Sequence, residues 1–444
     1  MKNTMIIYVI LCCQFLLASF DASGTPVSVI NELSSRTASA SPLLRVSGIR
    51  NWYLIGNALT SGNDAVNLRV ALDNRIRSVE VRLDDQPKGS LSRISGGFTG
   101  TINIKGLAPG KHSIQLIAEG SSKFTQKYFF LRSHPLYVLL TTDWDTSDSQ
   151  DSVLKLHEKL HEEHPSLKMT HFLGPYTFTD RKVSPKRQTY LAGWMIRLRE
   201  SFQDEIGLHI HPYCNFVNNV RGVHCRSKPS DTFPRGDSSG YTVLSSAYSK
   251  TEYLRLLKAA DALLIVHGLD KPTSFRTGSW AADAQTLKAL AADGFVADSS
   301  ANNWARIREE SKNDGNGVLY NWNRQHWKAI NDHSQPYFPD KHKPMSNGFP
   351  AIPLLEVPDN GSLVDYVTSD EMISIFRAKW QGQPLVKPVT YVFGFHPVSY
   401  NMTFHKRIEK TLNYIDRYLA ANDDGPVVYE TLSNMARVFH APPH

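Results

Sequence analysis

From Leu136 onward, short apolar runs alternate with stretches of helical spacing, and few folds accommodate that order. Leu136 to Thr142 is nearly unbroken apolar sequence, as expected of a strand covered on both faces. Residues 151–164 then place Val153, Leu154, Leu156 and Leu160 at helical spacing. The rhythm continues with strands predicted at 168–172, 205–211, 274–276, 295–298, 354–357 and 390–396. Helices are predicted at 190–201, 251–267, 283–292 and 405–421. Such alternation predicts an α/β parallel sheet or barrel, in which chemistry gathers at the C-terminal ends of the strands. Residues 302–350, rich in Asn, His, Trp and Pro, break the rhythm and read as one long loop serving a substrate cleft.

The preceding region has a different period. Residues 45–133 carry short strands that alternate apolar with polar side chains, such as Val66-Asn67-Leu68-Arg69-Val70 and Ile114-Gln115-Leu116, separated by Gly, Pro, Asn and Asp clusters. This pattern predicts an all-β sandwich of immunoglobulin or fibronectin-III type, without the core cysteine pair of antibody domains. Residues 25–44, rich in Ser, Thr, Ala and Pro, read as a linker. Residues 1–24 read as a signal peptide: Lys2, an apolar run from Met5 to Leu17, then small residues at Ala22-Ser23-Gly24. That run is short of the roughly 20 residues of a membrane span, and no later segment is long enough. A secreted or periplasmic protein is therefore expected, and Cys214 with Cys225 should form a disulfide. The net charge of +7 comes without basic blocks or interleaved aromatics, so no nucleic-acid partner is expected. Asn360-Gly361-Ser362 and Asn401-Met402-Thr403 are glycosylation sequons where the host has that machinery.

Several predicted strands end in polar groups: Asp143-Trp144-Asp145, His209-Ile210-His211, Arg276, Asp298 and His396. Residues two apart on a strand share a face, so His209 and His211 project together. Two imidazoles with a carboxylate from a neighbouring strand begin a zinc site that keeps a position open for water. Of Asp143 and Asp145, one would ligate the metal and the other take a proton from water.

In order, Thr142-Asp143-Trp144-Asp145, Glu205 to His211, Phe275-Arg276-Thr277-Gly278-Ser279-Trp280, Asp298, Leu355-Glu356-Val357-Pro358 and Phe395-His396-Pro397 resemble the motifs of the polysaccharide deacetylase (NodB-homology) superfamily. The resemblance covers about residues 136–440 and implies a distorted (β/α)-barrel catalytic domain over 134–444. It implies Asp143 as general base, Asp145 and His209 as metal ligands, and Arg276 as the group orienting Asp143. It also implies His396 as the acid that protonates the leaving group, and Asp298 by position as its orienting partner. The sequence departs from the family in three places. Trp144 separates the acidic pair, Tyr213 stands where a second histidine is usual, and Gly278-Ser279-Trp280 replaces a Pro-Tyr segment. His211 is accordingly taken as the third ligand on strand geometry.

These residues imply removal of acetyl groups from a polysaccharide or oligosaccharide, assisted by Zn²⁺, with Co²⁺ or Ni²⁺ as substitutes. Backbone N–H groups beside Trp144 or Asp145 are expected to stabilise the oxyanion. Tyr213, Trp280 and Trp304 are expected to bind sugar. The competing readings are an inactive glycan-binding protein and another metal-dependent hydrolase on the same barrel.

Overall fold

The computed structural model describes residues 45–440 apart from 72–75, 121–122, 229–237 and 308–316, and only the backbone of 317–320. The expected signal peptide 1–24 and linker 25–44 lie outside the described residues.

The N-terminal part is all-β. Strands β1 (Arg45–Ser47), β2 (Trp52–Leu54), β3 (Ala65–Ala71), β4 (Ser78–Leu83), β5 (Gln86–Ser90), β6 (Ser92–Ile94), β7 (Gly97–Asn103), β8 (Gly110–Glu119) and β9 (Lys123–Ser133) form two sheets, ordered β1-β3-β7-β6 and β2-β9-β8-β4-β5. Alternation in β3 and β4 sends Val66, Leu68, Val70, Val79, Val81 and Leu83 into one buried cluster with Ile114 and Leu116. Arg132, 1% exposed, closes the end of this layer by donating to the carbonyls of Leu54 and Asn63 and to Asp64.

The second part is built on β10 (Leu136–Asp143), β11 (Met169–Leu173), β12 (Glu205–Ile210), β13 (Ser274–Thr277), β14 (Ala297–Asp298), β15 (Leu355–Glu356), β16 (Val389–Phe395) and β17 (Val427–Tyr429). They form one parallel sheet, ordered β15-β14-β13-β12-β11-β10-β16, with β17 beside the start of β10. The sheet curls until the segment after β15 meets β16: Gly361 N–H donates to Val392 O at 2.7 Å and Val364 N–H to Gly394 O at 2.8 Å. Helices α1 (Asp151–Glu163), α2 (Pro185–Phe202), α3 (Cys214–Val217), α4 (Lys250–Val266), α5 (Ala284–Asp293), α6 (Gly317–His326), α7 (Ser369–Lys379) and α8 (Met402–Ile415) connect the strands. Sharp helix starts follow from side-chain caps: Ser249 with Glu252 at α4 and Thr368 with Glu371 at α7 form capping boxes.

The interval 302–350 departs from the expected long loop, because α6 lies within it. The two parts also pack against each other. Trp52 meets Trp380 edge-on at 5.9 Å, and Asp423 accepts from the backbone N–H groups of Asn51 and Trp52. Asn360 of the first sequon is fully buried, its amide donating to Ser334 O and Thr390 O, so the folded chain does not present it for modification.

One buried group sets a pH dependence. His157 of α1 is 0% exposed among Trp144, Trp194, Phe395 and Tyr400; its Nδ1–H donates to Val153 O at 2.8 Å, and its Nε2 has no partner. Burial, reinforced by His171, lowers its pKa to about 3. The unfolded chain therefore binds a proton that the folded chain refuses between the ordinary histidine value and about 3. Stability must fall as pH drops through that window, by at most about 1.4 kcal/mol per unit. His157→Phe should remove this term. Urea midpoints at pH 7 and pH 5 should show the variant losing about 2 kcal/mol less than the wild type. Equal losses would assign the acid sensitivity elsewhere.

Candidate metal and acid–base centre

After β10 the chain turns so that Trp144 leaves the strand face. Trp144 N–H donates to Phe172 O at 3.0 Å, the indole packs near His157 and Trp194, and its Nε1–H donates to Thr142 Oγ1 at 3.1 Å. With the intervening Trp consumed by the core, Asp145 comes to lie beside His209 of β12 and His211 just beyond it. Asp145 Oδ1 is 3.1 Å from His209 Nε2 and 3.3 Å from His211 Nε2. One ligand atom from each residue lies within 4.8 Å of the others. All three residues are at most 8% exposed.

The opposite ring nitrogens decide what this cluster can bind. His209 Nδ1–H donates to Arg276 O at 2.8 Å and His211 Nδ1–H to Tyr241 O at 2.9 Å. A neutral imidazole whose Nδ1 carries the proton presents a bare Nε2 lone pair, the tautomer a metal ligand needs. The donor set, two nitrogens and one carboxylate oxygen, suits Zn²⁺ and leaves a fourth position for water. With no ion between them, Asp145 is acidic: burial opposes its charge, but the charge of His396 and His211 and hydrogen bonds from the Nε2 atoms of His209 and His211 hold its pKa well below the carboxylate range.

His211 fits because residue 278 is glycine: a Cβ there would stand 2.6 Å from His211 Cγ. Tyr213 does not face the triad as a ligand; its hydroxyl donates to Asp145 O at 3.0 Å. Gly278→Ala should therefore displace His211, its Cβ also standing 2.8 Å from Ile210 O on β12. Metal affinity is expected to fall by roughly 10–100-fold, measured by competition with a chromogenic chelator. Unchanged affinity would remove His211 from the ligand set.

Arg276, fully buried on β13, donates to Asp143 Oδ1 at 2.9 Å and to Thr141 Oγ1 at 2.9 Å. Its remaining donors reach Ser299 O and Ser299 Oγ, both at 2.9 Å, and its plane lies over Phe172. The guanidinium is thus fixed, and Asp143 with it.

His396 stands beyond β16 with Nε2 3.7 Å from Asp145 Oδ2 and Nδ1 3.3 Å from Asp365 Oδ2. Burial disfavours its charged form, yet Asp145 and Asp365 carry its pKa up to about 10, so it holds a proton at neutral pH. The carboxylate that orients His396 is therefore Asp365, and the expectation for Asp298 is corrected. Asp298 accepts from Ser300 Oγ at 2.9 Å and faces Glu356 across adjacent strands. Burial raises the Asp298 pKa to about 6 and that of Glu356 well above its usual value, so Glu356 keeps its proton and the pair is a structural contact. Asp359, fully buried 3.5 Å from Arg276, is also raised to about 6, chiefly by burial.

Two further expectations are corrected. Trp144 N–H is spent on Phe172 O, and Asp145 N–H on Asp143 O at 3.1 Å, so neither is free for an oxyanion. Trp280 and Trp304 are 5% and 7% exposed and pack edge-on against each other at 5.6 Å, with Trp280 also meeting Tyr366 and His396. Neither offers an open face to a sugar ring. Tyr213 is half-buried at the triad, near Tyr176 and Tyr241.

Cys214 and Cys225 form a disulfide with Cα atoms 5.1 Å apart. Sequence reasoning missed Tyr241, whose hydroxyl donates to Asp145 Oδ2 at 2.9 Å, and Asp365. Tyr241 lies in irregular sequence with no periodicity to mark it. Asp365 follows Leu363-Val364, a short apolar pair that could have been read as one more strand end.

No family model matches the chain, and no curated protein matches it. Solved structures do. One, from Mycobacterium smegmatis and provisionally named a polysaccharide deacetylase, is 16% identical over 68% of this chain and 89% of its own, with a TM-score of 0.39. A family 4 carbohydrate esterase from Streptomyces lividans, in complex with acetate, is 11% identical over 70% of this chain and 100% of its own, with a TM-score of 0.34. A family 4 acetyl xylan esterase from Clostridium thermocellum, in complex with a cobalt ion, is 10% identical over 66% and 87%, with a TM-score of 0.33. The likenesses are distant, and the site rests on its own geometry.

Proposed function

We propose that this protein is an exported, metal-dependent hydrolase that removes acetyl groups from a polysaccharide or oligosaccharide. The observation that carries the reading is the convergence of Asp145, His209 and His211, flanked by Asp143 on Arg276 and by His396 on Asp365. Asp145 Oδ1 and the two histidine Nε2 atoms would hold the ion, Zn²⁺ by donor chemistry, with Co²⁺ or Ni²⁺ able to replace it. A bound divalent ion supplies Lewis acidity toward the acyl carbonyl and the attacking water.

The chain's own residues supply the proton transfers. Asp143, held by Arg276, accepts a proton from water as its oxygen bonds to the acyl carbon. His396, kept cationic by Asp145 and Asp365, gives a proton to the departing nitrogen or oxygen as the acyl bond breaks. Acetate and the free amine or alcohol result. The all-β part is read as an immunoglobulin- or fibronectin-III-type module, and residues 1–24 as the export signal.

The test is acetate release from a panel of N- and O-acetylated glycans, run beside metal analysis of the purified protein. Release that tracks metal content supports the reading. Bound metal without release from any acetylated glycan, but with hydrolysis of a phosphoester or peptide-like amide, would replace it with another hydrolase on this barrel. No metal and no release would leave a glycan-binding protein.

A further inference from the structure

We propose that Tyr241 is a positioning residue that fixes the rotation of the Asp145 carboxylate, and that the Cys214–Cys225 disulfide holds it in place; the inference rests on the metal-centre reading above. Asp145 lies beyond the end of β10, outside the strand's hydrogen-bond ladder. Its Oδ1 faces both imidazoles, so its Oδ2 decides how the group is turned. The hydroxyl of Tyr241 donates to that oxygen at 2.9 Å, whereas His396 stands farther away at 3.7 Å.

Tyr241 touches a second ligand as well. Its ring stacks on His211 at 4.2 Å with an interplanar angle of 18°, and its carbonyl accepts the His211 Nδ1–H. One residue thus sets the tautomer and ring plane of His211 and the rotation of Asp145. Partners of this kind govern ligand basicity and orientation at metal centres.

The segment carrying Tyr241 has no regular secondary structure to hold it. The cysteine pair anchors it on one side of Tyr241 and the buried Val243 on the other. Cys214 N–H donates to Ser239 O at 2.7 Å, and Gly240 rests on both Pro212 and Cys225. Gly240 has φ +88°, and a Cβ there would stand 2.3 Å from Pro212 O and 3.2 Å from Cys225 Sγ. Only glycine lets the turn lie this close to the disulfide.

The test compares wild type, Tyr241→Phe and the double variant Cys214→Ser/Cys225→Ser by Zn²⁺ affinity, by the visible absorption of Co²⁺-loaded protein and by melting of the metal-free chain. Tyr241→Phe should keep the metal-free melting temperature, lose roughly 10–100-fold in Zn²⁺ affinity and shift the Co²⁺ bands. The double variant should weaken metal binding in the same direction. Tyr241→Phe with wild-type affinity and an unchanged Co²⁺ spectrum overturns the positioning role, and a double variant with wild-type affinity overturns the disulfide's part. Wild-type protein that binds neither ion overturns the metal-centre reading itself, an outcome distinct from both.

Discussion

Asp145→Ala is expected to abolish turnover and to yield protein purified without metal. Asp145 gives the cluster its only anionic ligand, and both imidazoles face its Oδ1. Two neutral nitrogens alone form a poor Zn²⁺ site. The substitution also takes from His396 one of the two carboxylates that hold its proton, so the proton on His396 is held less firmly as the metal is lost. The barrel should survive: Asp145 lies beyond β10, and the loss of its buried hydrogen bonds costs roughly 1–3 kcal/mol. Metal analysis and a melting curve separate the two effects. A folded Asp145→Ala protein that still carries stoichiometric metal and still turns over would show that the ligands have been misassigned.

Asp143→Asn should give the second largest loss, by a different route. The amide keeps the size of the carboxylate and can still accept from Arg276 through its oxygen, but it cannot take a proton from water. Turnover is expected to fall by roughly 10²–10⁴-fold with metal content unchanged. Arg276 remains anchored by Thr141, Ser299 and Phe172, so the core beneath the site should stay intact. Metal loss in this variant would mean that Asp143 is a ligand rather than a base. The contrast between the two aspartates, one emptying the site and the other silencing a loaded one, is the sharpest consequence of the arrangement.

The sheet was legible because its strands are buried on both faces. Residues 136–142 and 390–396 are apolar runs, and the structure places them side by side in parallel register from Leu136↔Val389 to Thr142↔Phe395. Helix α7 and strand β17 escaped notice for physical reasons. In α7 the polar Ser369-Asp370-Glu371 start masks the spacing of Met372, Ile375 and Phe376, and β17 is three residues long. The clustering of His209 and His211 could be read because strand periodicity puts them on one face, whatever their neighbours.

The partners of those residues could not be read so directly. Tyr241 and Asp365 reach the site through irregular backbone, which carries no period. Their roles depend on contacts to residues 96 and 31 positions away, respectively. Asp298 was misplaced for a related reason. A strand-end carboxylate looks catalytic in sequence, but adjacent parallel strands bring it against Glu356, which burial keeps protonated. Trp280 and Trp304 were misread because an aromatic in irregular sequence looks exposed until its packing is seen.

The most direct test of the central claim is acetate release from an acetylated glycan by the purified full chain, before and after stripping with a chelator, and again after adding back Zn²⁺ or Co²⁺. Activity should vanish on stripping and return with the ion in wild type, and should not return in Asp145→Ala. Acetate release that persists at full rate in metal-free wild type would contradict a metal centre built on Asp145, His209 and His211.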